Sequence, residues 1–484
     1  VAPLHLIDEE KNSIAISDAL PDGITLTCVN APKEHLVAPK GPKPLPFIGN
    51  MLDMKSKEGV VAARQKLVDT YGEMVALEFP GRRNFLCSDA EVLQDMLERP
   101  EDFQKVIPAA KLGLGNLRAH TTGDGLFTCS DSEEIWQIAH RILLPGFGVP
   151  AIRQYYDRML VVADELIEHL GKQPEGQAVL ITDWMTRMTF EAISYAGFST
   201  RFHPMESQEL PPFVEAMVTS LRDAMDASTR VFPESFYIAA KKKRQEADLC
   251  LQNTVDTIIH KRMEQMVRGE GSTNDLLHIM LTSVDRVTGK KLPEENIRNQ
   301  LITFLIAGHE TTSGLLSYAI YHLMSNPAIE KKLIEEVDQV LGRDFSYRPT
   351  YEDLEKLPLT LRVLRETLRL NPTAPGFSKS AMKDTVVAGK YALQKGDMIS
   401  FVLPALHRDP RYWTGDPEHF DPDRFLPEEV KKRPESCYHP FGAGVRSCIG
   451  FQFALKEATM VLARLYQHFR FSLKDKNYVL EHVE

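Results

Sequence analysis

The 484-residue sequence contains no apolar run of the roughly 18 residues that a membrane-crossing helix needs, and no N-terminal secretory signal pattern. These absences set aside a helical membrane protein and predict a soluble, cytoplasmic chain, unless an anchor has been trimmed ahead of Val1. Excess positive charge is missing as well. The 57 Lys and Arg stand against 67 Asp and Glu, a formal charge of −10, which argues against nucleic acid as the main partner. Cysteine is sparse: Cys28, Cys87, Cys129, Cys250, Cys437 and Cys448 show neither CxxC nor disulfide-like spacing, so reduced thiols in an intracellular compartment are expected. No internal repeat or low-complexity tract appears. Gly113-Leu114-Gly115 is not a dinucleotide fingerprint, because no strand precedes it and the third glycine is missing.

What is present reads as an ordinary globular protein, 43% hydrophobic and 26% charged. Length alone exceeds the roughly 250–300 residues at which chains usually divide into domains. Residues 1–38 show no clear helical period, with one short strand expected at Ile24–Val29. Pro39, Pro42, Pro44 and Pro46 then stiffen the chain. A helix is predicted at Val60–Tyr71, and a hairpin at Met74–Phe79 and Asn84–Cys87 around Pro80-Gly81. Residues 100–130 read as loop. Helices follow at Ser132–Leu144, Ala151–Leu170, Trp184–Ala196, Pro211–Ala227, Ile238–Met266, Glu295–Ser325, Glu330–Leu341 and Leu359–Leu370. Strands are expected at Thr385–Val387 and Met398–Val402, then a Pro/Asp-rich meander from His407 to Pro440. The Lys241-Lys242-Lys243-Arg244 run reads as a solvated helix face.

The most informative stretch is Phe441-Gly442-Ala443-Gly444-Val445-Arg446-Ser447-Cys448-Ile449-Gly450. A lone cysteine sits in a glycine-rich turn, with an arginine two residues before it and a helical pattern from Phe451 to Phe469. The helix N-terminus and the arginine are expected to favour thiolate over thiol. A single thiolate on an open turn is a ligation that haem iron uses. Upstream, Ala307-Gly308-His309-Glu310-Thr311-Thr312 places Gly and Thr inside a helix whose flanks are apolar enough to be buried. Local rules broken in a buried helix mark function. Glu366 and Arg369 lie one turn apart on one face. Trp136 and His140, spaced i, i+4, also share a face.

The Phe441–Gly450 stretch resembles the haem-binding loop of the cytochrome P-450 superfamily, and the similarity runs over about residues 45–480. It implies a mainly α protein with a small β lobe, the cytochrome P-450 fold of a triangular haem-thiolate domain, over residues 39–484. Residues 1–38 would be an N-terminal extension with no assigned role. By the same resemblance Cys448 is the axial iron ligand of haem b (iron protoporphyrin IX), with Phe441 beside its sulfur. Arg446, Trp136 and His140 would hold the haem propionates. Gly308, and Ala307 before it, would face the distal side, Gly308 leaving room for O2, while Thr311 and Glu310 relay protons. Glu366, Arg369 and Arg424, the last in Phe420-Asp421-Pro422-Asp423-Arg424-Phe425, would form a buried structural triad.

Gly123-Asp124-Gly125-Leu126-Phe127-Thr128, Asn371-Pro372-Thr373-Ala374-Pro375 and the segment Thr303–Leu316 resemble one branch, the bacterial and fungal self-sufficient fatty-acid hydroxylases fused to a diflavin reductase. In that branch Phe127 would limit how deeply substrate reaches, and Arg82 would anchor a carboxylate. Phe85 stands where the branch has a tyrosine. The implied activity inserts one oxygen atom of O2 into a C–H bond of an apolar, long-chain, fatty-acid-like substrate. Electrons would come from NADPH through the FMN and FAD of a separate or fused reductase, docking near Lys431, Lys432 and Arg433. A peroxide-using or peroxide-rearranging enzyme and a haem-based gas sensor are the alternatives, the first weakened by the Glu310-Thr311 pair.

Overall fold

The computed structural model describes residues 36–108, 113–207, 209–227, 230, 236–270, 274–475, 477–478 and 480, plus the backbone of two short paired strands, β1 (Leu6–Ile7) and β2 (Ser13–Ile14). The strand expected at Ile24–Val29 lies outside the described residues. Helix α1 (Gly59–Tyr71) leads into the hairpin β3 (Met74–Phe79) and β4 (Arg82–Cys87), which turns at Gly81 with φ +76°. There follow α2 (Ala90–Glu98), β5 (Phe103–Gln104), α3 (Gly113–Leu117), α4 (Glu134–Leu143), α5 (Val149–Gly171), α6 (Ile181–Phe198), α7 (Pro212–Ala227) and α8 (Ile238–Val267). Next come α9 (Leu276–Thr282), α10 (Glu294–Ser325), α11 (Pro327–Leu341), α12 (Pro358–Leu370), β6 (Gly376–Ala381), β7 (Thr385–Val387), β8 (Tyr391–Leu393) and β9 (Met398–Val402). Two single turns, α13 (Leu403–Leu406) and α14 (Pro427–Val430), precede α15 (Phe451–His468).

The long helices match the periodic segments of the sequence to within three residues. The segment 100–130 does not: α3 and a π-helical turn at Arg118–Thr122 occupy ten residues of it. Two glycines weaken the helical signal there, and partners distant in sequence supply the hold. Arg244 donates to Asn116 Oδ1 at 2.6 Å, and Thr121 donates to Asp248 at 2.7 Å. Arg244 is thus 5% exposed and paired with Asp223 at 2.7 Å, unlike the three solvated lysines before it.

One sheet runs β3-β4-β9-β6-β5, antiparallel except for the parallel β4/β9 pair. Strand β6, Gly-Phe-Ser-Lys-Ser-Ala, has weak strand propensity and owes its form to β9, against which Ser378 pairs with Ser400. One sheet face packs with Leu67 and Val68 of α1. The other joins Phe103, Trp413 and Ala443 in a second core. The remaining helices enclose the largest core, crossed by α10, which packs against α6, α8, α12 and α15. No helix among the described residues is long and apolar enough to cross a membrane.

Candidate active site

The cysteine turn is closed by its own backbone. Cys448 N–H donates to Phe441 O at 2.8 Å, while Gly442 and Gly444 take φ of +73° and +67°, values that favour glycine. Phe441 therefore lies beside the cysteine, as expected. Beneath the turn, a Cβ on Gly450 would sit 3.6 Å from Phe147, whose ring is 5.4 Å from that of Phe304 on α10. Solvent reaches Cys448, yet the surrounding protein pushes its thiol up, opposed by the Gly450 main-chain N–H. A residue with both properties lies on the floor of a recess. The expectation that Arg446 and the helix N-terminus would favour thiolate is corrected here: burial dominates, and the Arg446 guanidinium is turned to other partners.

Those partners form a second cluster. Arg446 pairs with Asp131, and donates to Leu126 O at 3.1 Å and Cys129 O at 2.6 Å. Its guanidinium lies 3.9 Å from the Trp136 ring centroid, and the Trp136 and His140 rings stack at 5.0 Å. The three residues proposed to hold propionates are therefore brought into one column. Asp131 and Lys105 escaped the sequence reading, since neither lies in a motif. Asp131 accepts the Lys105 main-chain N–H at 2.8 Å. The Lys105 ammonium donates to Phe127 O at 2.6 Å and sits 4.4 Å from its ring centroid, and burial lowers its pKa to about 8. Phe127 itself is half exposed.

Helix α10 is buried along both flanks but opens at Ala307 and Glu310, with Gly308 and Thr311 partly open beside them. The spacing i, i+3, i+4 puts Ala307, Glu310 and Thr311 on one stripe. Leu126 links the stripe's helix to the cysteine turn, because its N–H donates to Gln300 on α10 at 2.9 Å while its carbonyl accepts from Arg446. Thr311 Oγ1 donates to Ala307 O at 3.0 Å, and burial raises the Glu310 carboxyl. Gly308 has another explanation than room for O2. A Cβ there would meet Ile193 Cγ1 of α6 at 2.7 Å, so the glycine is needed for helix packing. His309, 1% exposed, is kept neutral by burial with a pKa of about 4.

The triad is assembled as expected. Arg369 donates to both Glu366 oxygens at 2.7 and 2.8 Å and to His407 O, Pro417 O and His419 O, while Arg424 stands 3.6 Å from Glu366. Two other expectations are corrected. Arg433 is not a free docking cation: its guanidinium is stacked on Trp413 at 4.2 Å and Phe425 at 4.9 Å, and it donates to Arg424 O. Lys432 bonds Glu429 at 2.6 Å, which leaves Lys431 as the exposed cation of the three without such a contact among the described residues. Phe85 does not line a channel either. It is 3% exposed and packs in the second core, on the opposite sheet face from Arg82.

A reachable cysteine in a glycine turn, a cationic and aromatic column, and an open stripe of a central helix define a haem-thiolate protein, and the donor set suits haem: sulfur for iron, paired donors for acidic substituents. The chain belongs to the cytochrome P450 family, whose profile matches residues 39–482 and whose members bind haem. It is 37% identical over 461 residues to a bifunctional cytochrome P450/NADPH–P450 reductase of Aspergillus oryzae, covering 94% of this chain and 41% of that one. It is 40% identical over 415 residues to bifunctional cytochrome P450/NADPH–P450 reductase 2 of Bacillus subtilis (85% and 38%), and 36% identical over 445 residues to the bifunctional protein of Fusarium oxysporum (91% and 40%). The chain spans about two fifths of the length of these relatives.

Proposed function

We propose that residues 39–484 act as the haem domain of an O2-dependent monooxygenase that hydroxylates an apolar, long-chain, acid-bearing substrate. Electrons would come from an NADPH-dependent diflavin reductase, a reading supported by the reductase-fused relatives. One observation carries the proposal. The reachable Cys448 and the open stripe of α10 are joined through the same two residues, Phe147 and Leu126, so a thiolate ligand and a proton-bearing helix face would serve one chamber.

Bound haem would supply the redox chemistry with dioxygen. The chain's own residues do the rest. Cys448 would lose its proton on ligation, because burial otherwise keeps it a thiol. Arg446, Trp136 and His140 would hold the acidic edge. Glu310, at an opening of α10 but with its carboxyl raised by the protein around it, is suited to keep and give up a proton nearer neutrality than a fully solvated glutamate. Thr311 spends its own proton on Ala307 O, so its oxygen is free to accept from a water or from Glu310 on the open side. Phe127, half exposed, would bound the depth that substrate reaches. The test is the carbon monoxide spectrum of the reduced protein. A thiolate-type band lost in Cys448→Ser supports the proposal. A histidine-type band in the wild type overturns it.

A further inference from the structure

Helix α6 grips α10 on the turn that carries the open stripe. Thr186, Thr189, Phe190 and Ile193 fall at i, i+3, i+4 and i+7, one face of α6. Ile193 closes on Gly308, and the Phe190 ring meets the His309 ring edge-on at 5.5 Å. Thr189, 0% exposed, has its Oγ1 3.0 Å from His309 O. Thr186 Oγ1 lies 3.4 Å from Ser313 Oγ, which itself donates to Glu310 O at 3.0 Å. The main-chain carbonyls of His309 and Glu310 are thus tied to α6, one directly and one through a serine. At about 3.6 residues per turn, His309 and Ser313 stand on the side of α10 away from Ala307 and Thr311. The Thr189 hydroxyl also lies 2.9 Å from Met185 O of its own helix, and it has one proton for both carbonyls. Two oxygens held 3.0 Å apart with no proton between them repel, so the proton is shared with His309 O.

We propose that Thr189 is a positioning residue for proton delivery: its hydroxyl fixes the roll of α10, and with it the places of the Glu310 carboxyl and the Thr311 hydroxyl. This rests on the reading that those two groups handle the proton. Side-chain atoms lie about 5–6 Å from a helix axis, so a roll of about 10° moves them by about 1 Å. A displacement of that size can cost about 10²-fold in rate. The apolar contact of Ile193 with Gly308 sets how near the two helices come, whereas a bond to a single carbonyl sets which way α10 faces. A carbonyl oxygen has two lone pairs, so His309 O can take the Thr189 proton beside its bond within the continuous helix α10. Removing the hydroxyl therefore orphans no buried group, and its role is orientation more than stability.

The test uses the haem-loaded protein with a diflavin reductase supplied and a saturated long-chain fatty acid, and reads product formed and hydrogen peroxide released per NADPH. Thr189→Val keeps the shape and removes the donor. It should lower product per NADPH about threefold, a fraction of what a shift of about 1 Å can cost, and raise peroxide in step. Substrate affinity in optical titration and the melting temperature should stay near wild type. Thr189→Ser, which keeps the donor, should restore product per NADPH. If Thr189→Val equals wild type while Thr311→Ala still releases peroxide, the hydroxyl serves its own helix and the proposal is overturned, with the proton reading intact. A loss in Thr189→Val that Thr189→Ser does not repair, or that comes with an equal loss of melting temperature and substrate affinity, assigns Thr189 to packing and overturns the proposal as well. If Thr311→Ala itself leaves product per NADPH unchanged, the proton reading falls and the proposal falls with it.

Discussion

Replacing Gly308 by alanine sets two effects against each other inside α10. Alanine is the better helix former by about 0.8–1 kcal/mol. Its methyl, however, would lie 2.7 Å from Cγ1 of Ile193, 3.2 Å from Cδ1 and 3.3 Å from Cβ. Ile193 is 2% exposed, and a β-branched residue in a helix has essentially one χ1 rotamer, so its inner atoms cannot swing clear. Relief requires α6 and α10 to separate. Overpacking of this kind costs about 1–3 kcal/mol, so a net loss of about 1 kcal/mol is expected. Ile193→Ala alone should cost about 2–5 kcal/mol through the cavity it leaves. In the Gly308→Ala background it should cost less by about 1 kcal/mol or more, because the new methyl occupies part of that cavity. Urea unfolding of the four proteins, followed by circular dichroism, measures the coupling. Additive changes, with Gly308→Ala as stable as wild type, would refute the packing argument and return the glycine to the open side of the helix.

Thr311→Ala should keep haem and substrate binding but send reducing equivalents to hydrogen peroxide; the ratio of product to NADPH consumed, measured with a reductase supplied, should fall severalfold, general acid effects being about 10²–10⁴-fold in rate. Arg369→Met leaves Glu366, 0% exposed, with only Arg424 at 3.6 Å and the Asp421 main-chain N–H among the described residues, and strips donors from three carbonyls. It should cost about 3–5 kcal/mol, seen as loss of folded, haem-loading protein, and Arg369→Lys should not rescue it, because an ammonium cannot form the bidentate pair. Glu457 is 0% exposed, both its oxygens lack partners among the described residues, and burial raises its pKa well above the ordinary value. The folded state keeps a proton that the unfolded chain releases above about pH 4.5, so stability falls by about 1.4 kcal/mol per pH unit from there up to the folded value. Glu457→Gln should flatten that decline, and melting curves from pH 5 to 8 that stay parallel for the two proteins would refute it. His309 acts in the opposite sense: its depressed pKa of about 4 gives stability that is full above about pH 6.5 and is lost as pH falls towards 4.

The helices were legible because their signal is local. Helix α10 was predicted at Glu295–Ser325 and runs Glu294–Ser325. A run of apolar residues needs only some core to pack against, and almost any compact fold supplies one. Strand β6 and helix α3 were illegible for the converse reason, since their form depends on partners far away in the chain, Ser400 for one and Arg244 for the other. Motif spacing brought Arg446, Trp136 and His140 together correctly. It carried no trace of Asp131, which is 315 residues from Arg446. The side on which Phe85 projects also follows from sheet register, and a one-step difference in alignment reverses it.

Arginine shows most clearly where reading from sequence stops. Arg82, Arg83, Arg244, Arg433 and Arg446 look alike in the chain: cationic, next to at least one polar residue, and each suited to bind an anion. The fold gives Arg83 to Asp397, Arg244 to Asp223 and Arg446 to Asp131, and it stacks Arg433 between Trp413 and Phe425. A guanidinium is held by whichever carboxylate or ring tertiary structure delivers, and that choice has no local signature. Two basic runs, Lys241–Arg244 and Lys431–Arg433, therefore proved to be partly structural, whereas Arg82, next to the paired Arg83, has no acid or hydrogen-bond acceptor among the described residues. For anion recognition the informative property is thus the lack of an internal partner combined with partial burial, because burial makes an unmet charge costly and a ligand removes the cost. Among these five arginines only Arg82 meets both conditions.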